Sequence, residues 1–239
     1  MLFGYYYGFD LTYLVLVLPC VIFAIIASAR VNSTFKRYSQ QLSQRRLSGA
    51  QAAEHVLRAN GVYDVKIERV SGNLTDHYDP RTNVIRLSDS VHDSTSVAAI
   101  GVACHEAGHA VQYAHHYGPI KLRAAIIPIT SIGSKLAMPL ILLGILFSFG
   151  ETVSYGFVYA GIACFALSLV FQLVTLPVEF NASHRALHAI NGIGLLTPEE
   201  QKGAKKTLSA AAMTYVAATA VALAQLLRLL LIFGRRNND

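Results

Sequence analysis

Four apolar runs constrain this chain more than anything else in its sequence. The first, Leu11 to Ala29, holds no charged residue, and at about 1.5 Å per helical residue it can cross roughly 30 Å of hydrocarbon. Two more, Leu136 to Phe149 extended backwards through 126–132 and Tyr155 to Leu176, are separated by the short turn Gly150 to Ser154 and read as a transmembrane hairpin. Lys135 must then lie near the interface or snorkel towards it. The fourth, Leu208 to Phe233, is interrupted by Gln225 and Arg228, and either spans or lies along the membrane surface. Of the 239 residues 53% are hydrophobic and 14% charged. With the apolar ones gathered into runs, a soluble domain is excluded and a mainly α-helical protein with three to four transmembrane helices in a lipid bilayer is expected. A cleaved signal peptide needs a basic start, but Met1 to Phe9 carry no Lys or Arg and Arg30 follows the run, so the first run reads as a retained anchor.

Basic residues give the orientation. Arg30, Lys36, Arg37, Arg45 and Arg46 follow the first run, Lys121 and Arg123 precede the hairpin, and Arg185, Lys202, Lys205 and Lys206 come after it, whereas the hairpin turn offers only Glu151. By the positive-inside rule residues 30–125 face the cytoplasm, in a multi-pass protein of the cell (inner) membrane. Arg235 and Arg236 oppose this if the fourth run spans. The net charge of +6 then suits anionic lipid headgroups, and no nucleic-acid partner is expected. Cys20, Cys104 and Cys164 show no spacing for a disulfide or a Cys-ligated metal.

Chemistry enters at His105-Glu106-Ala107-Gly108-His109. Two histidines four apart on a helix point the same way and can share one zinc ion, while the glutamate between them faces a water on that ion. Such a zinc lowers the pKa of its water to about 7 and polarises a carbonyl, and the carboxylate takes the proton as the carbonyl is attacked. That chemistry hydrolyses peptide bonds. Ser96 to Tyr113 is uncharged apart from the motif and has helical apolar spacing, with Ser94, Thr95 or Ser96 available as N-cap. A glutamate in such a helix is costly unless it has a task. Cys104 points about 100° away from His105 and reads as a packed small residue.

Between anchor and motif, Ser48 caps a short helix that Gly61 stops, and Val62 to Val70 alternates as a strand. Leu74–Tyr78 and Asn83–Leu87 flank the turn Asp79-Pro80-Arg81-Thr82 as a hairpin. Val84, Ile85, Arg86 and Leu87, feeding towards the motif helix, are the candidate edge strand for pairing with an extended substrate, with a plain structural hairpin as the alternative.

Catalytic zinc usually takes three protein ligands, so one is missing. His115 fits the spacing His-x-x-x-His-x-x-x-x-x-His, which needs a glycine break where this chain has Gln112; on an unbroken helix it points about 240° away from His109. Glu179 follows the hairpin, in the first turn of a helix that Pro177 can open, where it could equally serve the helix dipole. Glu199 and Glu200 read as the first turn of a helix capped by Thr197. His184, His188 and Tyr215 have the chemistry to stabilise a transition state, though spacing singles out none.

The motif, the hairpin after it, Glu179-Phe180-Asn181-Ala182-Ser183 and Leu74 to Arg81 together resemble the YugP-like family of bacterial neutral zinc metallopeptidases over nearly the whole chain. More distantly they are similar to the HtpX and CAAX prenyl protease group of membrane gluzincins. The resemblance implies a zincin-like catalytic core, one zinc per chain on His105, His109 and Glu179, and Glu106 as general base. It departs from the HtpX pattern at Ser183, where an Asp supports a zinc-binding histidine, so that support must come from elsewhere, with Asn181 a candidate.

The expectation is an α+β membrane protein with a small β-hairpin or sheet. Its parts are an anchor (1–29), a cytoplasmic domain carrying the motif (30–125), a membrane hairpin (126–177), and a third-ligand helix with the C-terminal hydrophobic helix (178–239). Glu179 lies a few residues past a span, which puts the site within roughly 10–15 Å of the hydrocarbon boundary at helical rise and favours membrane or membrane-proximal proteins as substrates. The rivals are a non-proteolytic scaffold or adaptor that uses zinc only to hold its parts together, for which Glu106 would be dispensable, and a transporter with an internal zinc site.

Overall fold

The computed structural model describes residues 11–147 and 151–234, with the side chains of 151 and 152 left out. A π-helical turn, Tyr13–Val17, runs into α1 (Leu18–Ser39). Then come α2 (Gly49–Ala59), β1 (Lys66–Val70), β2 (His77–Asp79), β3 (Val84–Ser88), α3 (Val97–Ala114), α4 (Gly118–Leu146), α5 (Glu151–Ile193) and α6 (Pro198–Gly234). Four helices are long and apolar enough to cross a membrane: Tyr13–Ser39, Gly118–Leu146, Val153–Ile193 and Pro198–Gly234. The fourth run therefore ranks with the other three, although Arg235 and Arg236, like the segment Met1 to Phe9, fall outside the described residues.

The chain divides into two compact units, one of Met1–Ile26, Leu122–Leu176 and Thr214–Asp239, the other of Ala27–Lys121 and Pro177–Met213. This grouping cuts across the expected segments. Residues 178–239 part at Met213, and the piece with Glu179 joins the motif's unit.

In the first unit small residues let helices approach closely, as they do where lipid supplies no hydrophobic drive for association. A Cβ on Gly161 of α5 would lie 2.8 Å from the Ala137 carbonyl oxygen of α4. Ile141, Val158, Ile162, Leu229 and Phe233 form a core there. Arg228, which interrupts the fourth run, is buried with its guanidinium 5.5 Å from the Tyr13 ring centroid, so the cation rests on an aromatic face. α5 already begins at Glu151, within the expected turn at 150–154; 148–150 lie outside the described residues.

The second unit is built around α3, most of whose residues are buried. Its core takes Phe35 and Tyr38 from α1, Val56 and Leu57 from α2, Ile85 and Leu87 from β3, Ile190 from α5 and Leu208 from α6. Caps set the helix starts as expected. Ser48 Oγ accepts from Gln51 N while Gln51 Oε1 accepts from Ser48 N, and Ser96 Oγ accepts from Ala99 N. Thr197 and Glu200 make the reciprocal pair at the start of α6, and Glu200 also accepts from Gln44 N at 2.8 Å. Gly61 ends α2 in the left-handed region, with φ 72°.

Three expectations change. The sheet has the order β1-β3-β2, with β1 parallel and β2 antiparallel to β3. Val84, Ile85, Arg86 and Leu87 therefore lie in the central strand, paired on both sides, and have no edge to offer a substrate; the edges belong to β1 and β2. Both of those strands are also shorter than the alternation suggested. Pro177 does not open a helix but lies inside α5, a position tolerated in helices of membrane proteins because neighbouring groups re-satisfy the freed carbonyl. Glu179 is consequently mid-helix, where no dipole or cap explains it. Finally, α4 begins at Gly118, eight residues before the expected hairpin.

Candidate metal centre

Helical spacing puts His105 and His109 one turn apart on α3, their rings edge to face with centroids 4.7 Å apart. Glu179 comes from α5, which can approach because residue 108 is glycine: a Cβ there would stand 2.6 Å from the Ala182 carbonyl oxygen. Glu179 Oε2 lies 3.3 Å from His105 Nε2 and 3.6 Å from His109 Nε2. Those separations match the edges of a tetrahedron with metal–ligand bonds of about 2.0–2.1 Å. The three side chains form the cluster able to hold a metal ion among the described residues.

The far nitrogens of both imidazoles are held as well. Gln112, fully buried, donates from Nε2 to Val178 O at 2.8 Å and to Asn181 Oδ1 at 3.0 Å. Arg185 Nε, which can only donate, fixes that same Asn181 oxygen at 2.8 Å. The Gln112 amide is therefore oriented with Oε1 towards His109 Nδ1 at 3.0 Å, so Nδ1 carries the proton and Nε2 keeps its lone pair for a metal. His105 Nδ1 lies 3.1 Å from Ser183 Oγ. Ser183 thus meets a histidine itself, one turn after Glu179, and Asn181 acts one step further out, through Gln112.

Glu106 faces β2. Burial pushes its carboxyl up to about 7; His105 opposes the shift, Glu179 and Asp76 add to it, and a hydrogen bond from the Tyr78 backbone N–H lowers it. Tyr78, opposite Ile85 in the sheet, thus brings this part of β2 next to the motif. Asp76, just before β2, accepts from Ser88 N at 2.7 Å and from Ser88 Oγ.

The remaining candidates separate. His115 caps the end of α3 with Nε2 3.2 Å from Asn60 O, outside the cluster. His184 and His188 are exposed, their rings stacked on one another with centroids 6.4 Å apart; five and nine residues beyond Glu179, they turn away from its face of α5. Tyr215 belongs to the other unit, where its carbonyl accepts from Thr219 Oγ1 at 2.8 Å. Sequence reasoning missed Gln112, Asp76 and the Tyr78 backbone. Gln112 left a trace three residues after His109 on the same helix face, and Asp76 and Tyr78 lie in the stretch Leu74 to Arg81 that carried the resemblance, though with no role attached.

A mainly helical membrane protein that gathers two imidazoles and a carboxylate within bonding distance of one point, with a second buried carboxylate beside them, is of the class that can carry a metal centre. Residues 13–234 match the protein family described as "Putative neutral zinc metallopeptidase", and the chain belongs to that family. It is 45% identical over 214 residues to "Putative membrane protease YugP" of Bacillus subtilis (strain 168), an alignment that covers 89% of this chain and 93% of the relative. No solved structure matches.

Proposed function

We propose that the chain is a membrane-anchored zinc endopeptidase of the gluzincin type, holding one zinc on His105 Nε2, His109 Nε2 and Glu179 Oε2, with Glu106 as general base. The observation that carries it is the convergence of those three donors, which come from two helices with 73 residues of chain between His105 and Glu179. When bound, zinc supplies a polarised scissile carbonyl and an acidified water. Glu106, buried beside Tyr78, accepts the proton of the attacking water and delivers it to the leaving amine. Gln112 and Ser183 keep the two imidazoles turned towards the metal.

The outer edge of β2, unpaired within the sheet and next to Glu106, replaces Val84–Leu87 as the strand that aligns an extended substrate through its main chain. The metal-binding unit faces the cytoplasm, a reading supported by the basic residues around it. Glu179 follows the membrane unit's Leu176 by three residues, which favours membrane-embedded or membrane-proximal proteins as substrates. The scaffold reading is less well supported, because a structural zinc fills four positions with protein ligands and the cluster among the described residues offers three.

The test pairs zinc content with cleavage of casein by the purified detergent-solubilised protein. Wild type should carry one zinc and cleave; Glu106→Gln should keep zinc and lose activity by about 10²–10⁴-fold; Glu179→Ala should lose zinc. Full cleavage by Glu106→Gln would overturn the catalytic assignment, and undiminished zinc in Glu179→Ala would overturn the ligand set.

A further inference from the structure

Away from the metal centre, the second unit holds a groove of about 580 Å³ between the end of α1 and the start of α6. Five cations line it: Arg30 and Arg37 from α1, and Lys202, Lys205 and Lys206 from α6. No carboxylate does. Glu199 is held outside by Lys202 at 2.9 Å, and Glu200 is buried and committed to Gln44 and Thr197. Among the described residues, Arg30, Arg37, Lys205 and Lys206 have no ion pair. Like charges brought together without counter-charge repel one another, so an arrangement of this kind points to an anion that is missing from the protein itself.

The two helices are in firm contact. A Cβ on Gly203 would stand 2.7 Å from the Tyr38 ring and 2.9 Å from Val97 of α3, so α6 packs closely on α1 at Tyr38, which lines the groove. Its ends differ in chemistry. Arg30 directly follows the uncharged run Leu11 to Ala29, and Lys206 stands two residues before the run that begins at Leu208. From that level the cations continue outwards to Arg37, about 10 Å further along α1 at helical rise. In the opposite direction the lining turns apolar, with Ala210 and the exposed Met213.

We propose that this groove binds the phosphate of an anionic glycerophospholipid. The phosphodiester sits among Arg37, Lys205 and Lys206, the hydroxyls of Thr34 and Ser209 can donate to its oxygens, and the acyl chains leave along Ala210 and Met213. Diffuse attraction to a charged membrane surface would depend on total charge; a groove of this shape depends on where the charge is. The chemistry recognised is a phosphate carrying hydrocarbon, which separates a lipid from free phosphate.

The experiment reads lipids retained by the full-length protein, released from nanodiscs holding equal amounts of phosphatidylglycerol and phosphatidylcholine, by native mass spectrometry. Wild type should keep phosphatidylglycerol in preference. Each basic side chain near an anionic surface contributes roughly fivefold in affinity, so Arg37→Gln/Lys205→Gln/Lys206→Gln should lower retention by more than roughly tenfold. Lys205→Arg/Lys206→Arg should preserve it. So should Lys36→Gln/Lys66→Gln/Arg81→Gln, which removes the same charge from exposed positions outside the groove. All variants should melt close to wild type. The proposal is overturned by equal retention of the two lipids, by equal loss in the two triple variants, or by displacement of the lipid with millimolar inorganic phosphate, which would assign the groove to a free phosphate.

Discussion

Gln112 decides which nitrogen of His109 can meet a metal. Its carboxamide bridges α3 and α5 and spends every polar bond on the site, with Oε1 towards His109 and Nε2 on Val178 O and Asn181 Oδ1. Gln112→Leu fills the space but frees the imidazole to rotate and to change tautomer. Outer-shell partners of zinc-binding histidines are worth about 10–100-fold in metal affinity, and zinc titration against a competing chelator should show a loss of that size. Ser183→Ala should weaken zinc binding through His105 in the same way, while His184→Ala, on the exposed face, should leave it unchanged. At this scale the sequence disclosed the residues whose chemistry is named by a motif, His105, Glu106 and His109. It left Ser183 as a mismatch with a related pattern, because the partner of His105 can be read only once α5 is laid across α3.

Gly108 sets how closely those two helices cross. In Gly108→Ala the added methyl meets the Ala182 carbonyl, a backbone atom that cannot swing aside; overpacking of this kind costs about 1–3 kcal/mol and moves Glu179 away from the histidines. Zinc affinity should therefore fall together with the melting temperature. Gly203→Ala, crowded by the Tyr38 ring and Val97 instead, should lower the melting temperature and spare the metal, and a drop in zinc content there would contradict the division between the two contacts. Elements of strong periodicity and clear caps, α2 and α3, were legible in the sequence to within a residue or two. The sheet order was not, since a hairpin read as two strands does not reveal that β1 returns to pair in parallel with β3. Pro177 misled for a local reason: in a soluble helix it would mark a boundary, whereas α5 carries it inside.

For the whole molecule, apolar run length gave three to four candidate spans where the structure has four helices long and apolar enough to cross, but nothing in a run says which polar segments assemble with which. Residues 177–213 join 27–121 through buried contacts such as Ile190 and Leu208 against α3. A metal that ties α3 to α5 stabilises the fold by its binding free energy; stripping zinc with a chelator should lower the melting temperature of wild type and have little effect on Glu179→Ala. Orientation can be read with a membrane-impermeant maleimide on a Lys66→Cys variant, Lys66 being exposed in β1. Intact cells should leave it unlabelled and inverted vesicles should label it; the reverse result would place the metal-binding unit outside.

Both imidazoles of the proposed centre lean on neutral acceptors, a hydroxyl and a carboxamide, where carboxylates are the commoner support. A carboxylate makes an imidazole a richer electron donor; an alcohol or an amide does so far less. The ion would therefore keep more of its own positive charge, gaining power to withdraw electrons from a bound oxygen while holding less firmly to the protein. A centre tuned in that direction exchanges residence time for Lewis acidity, and its loading would follow the zinc supply around it.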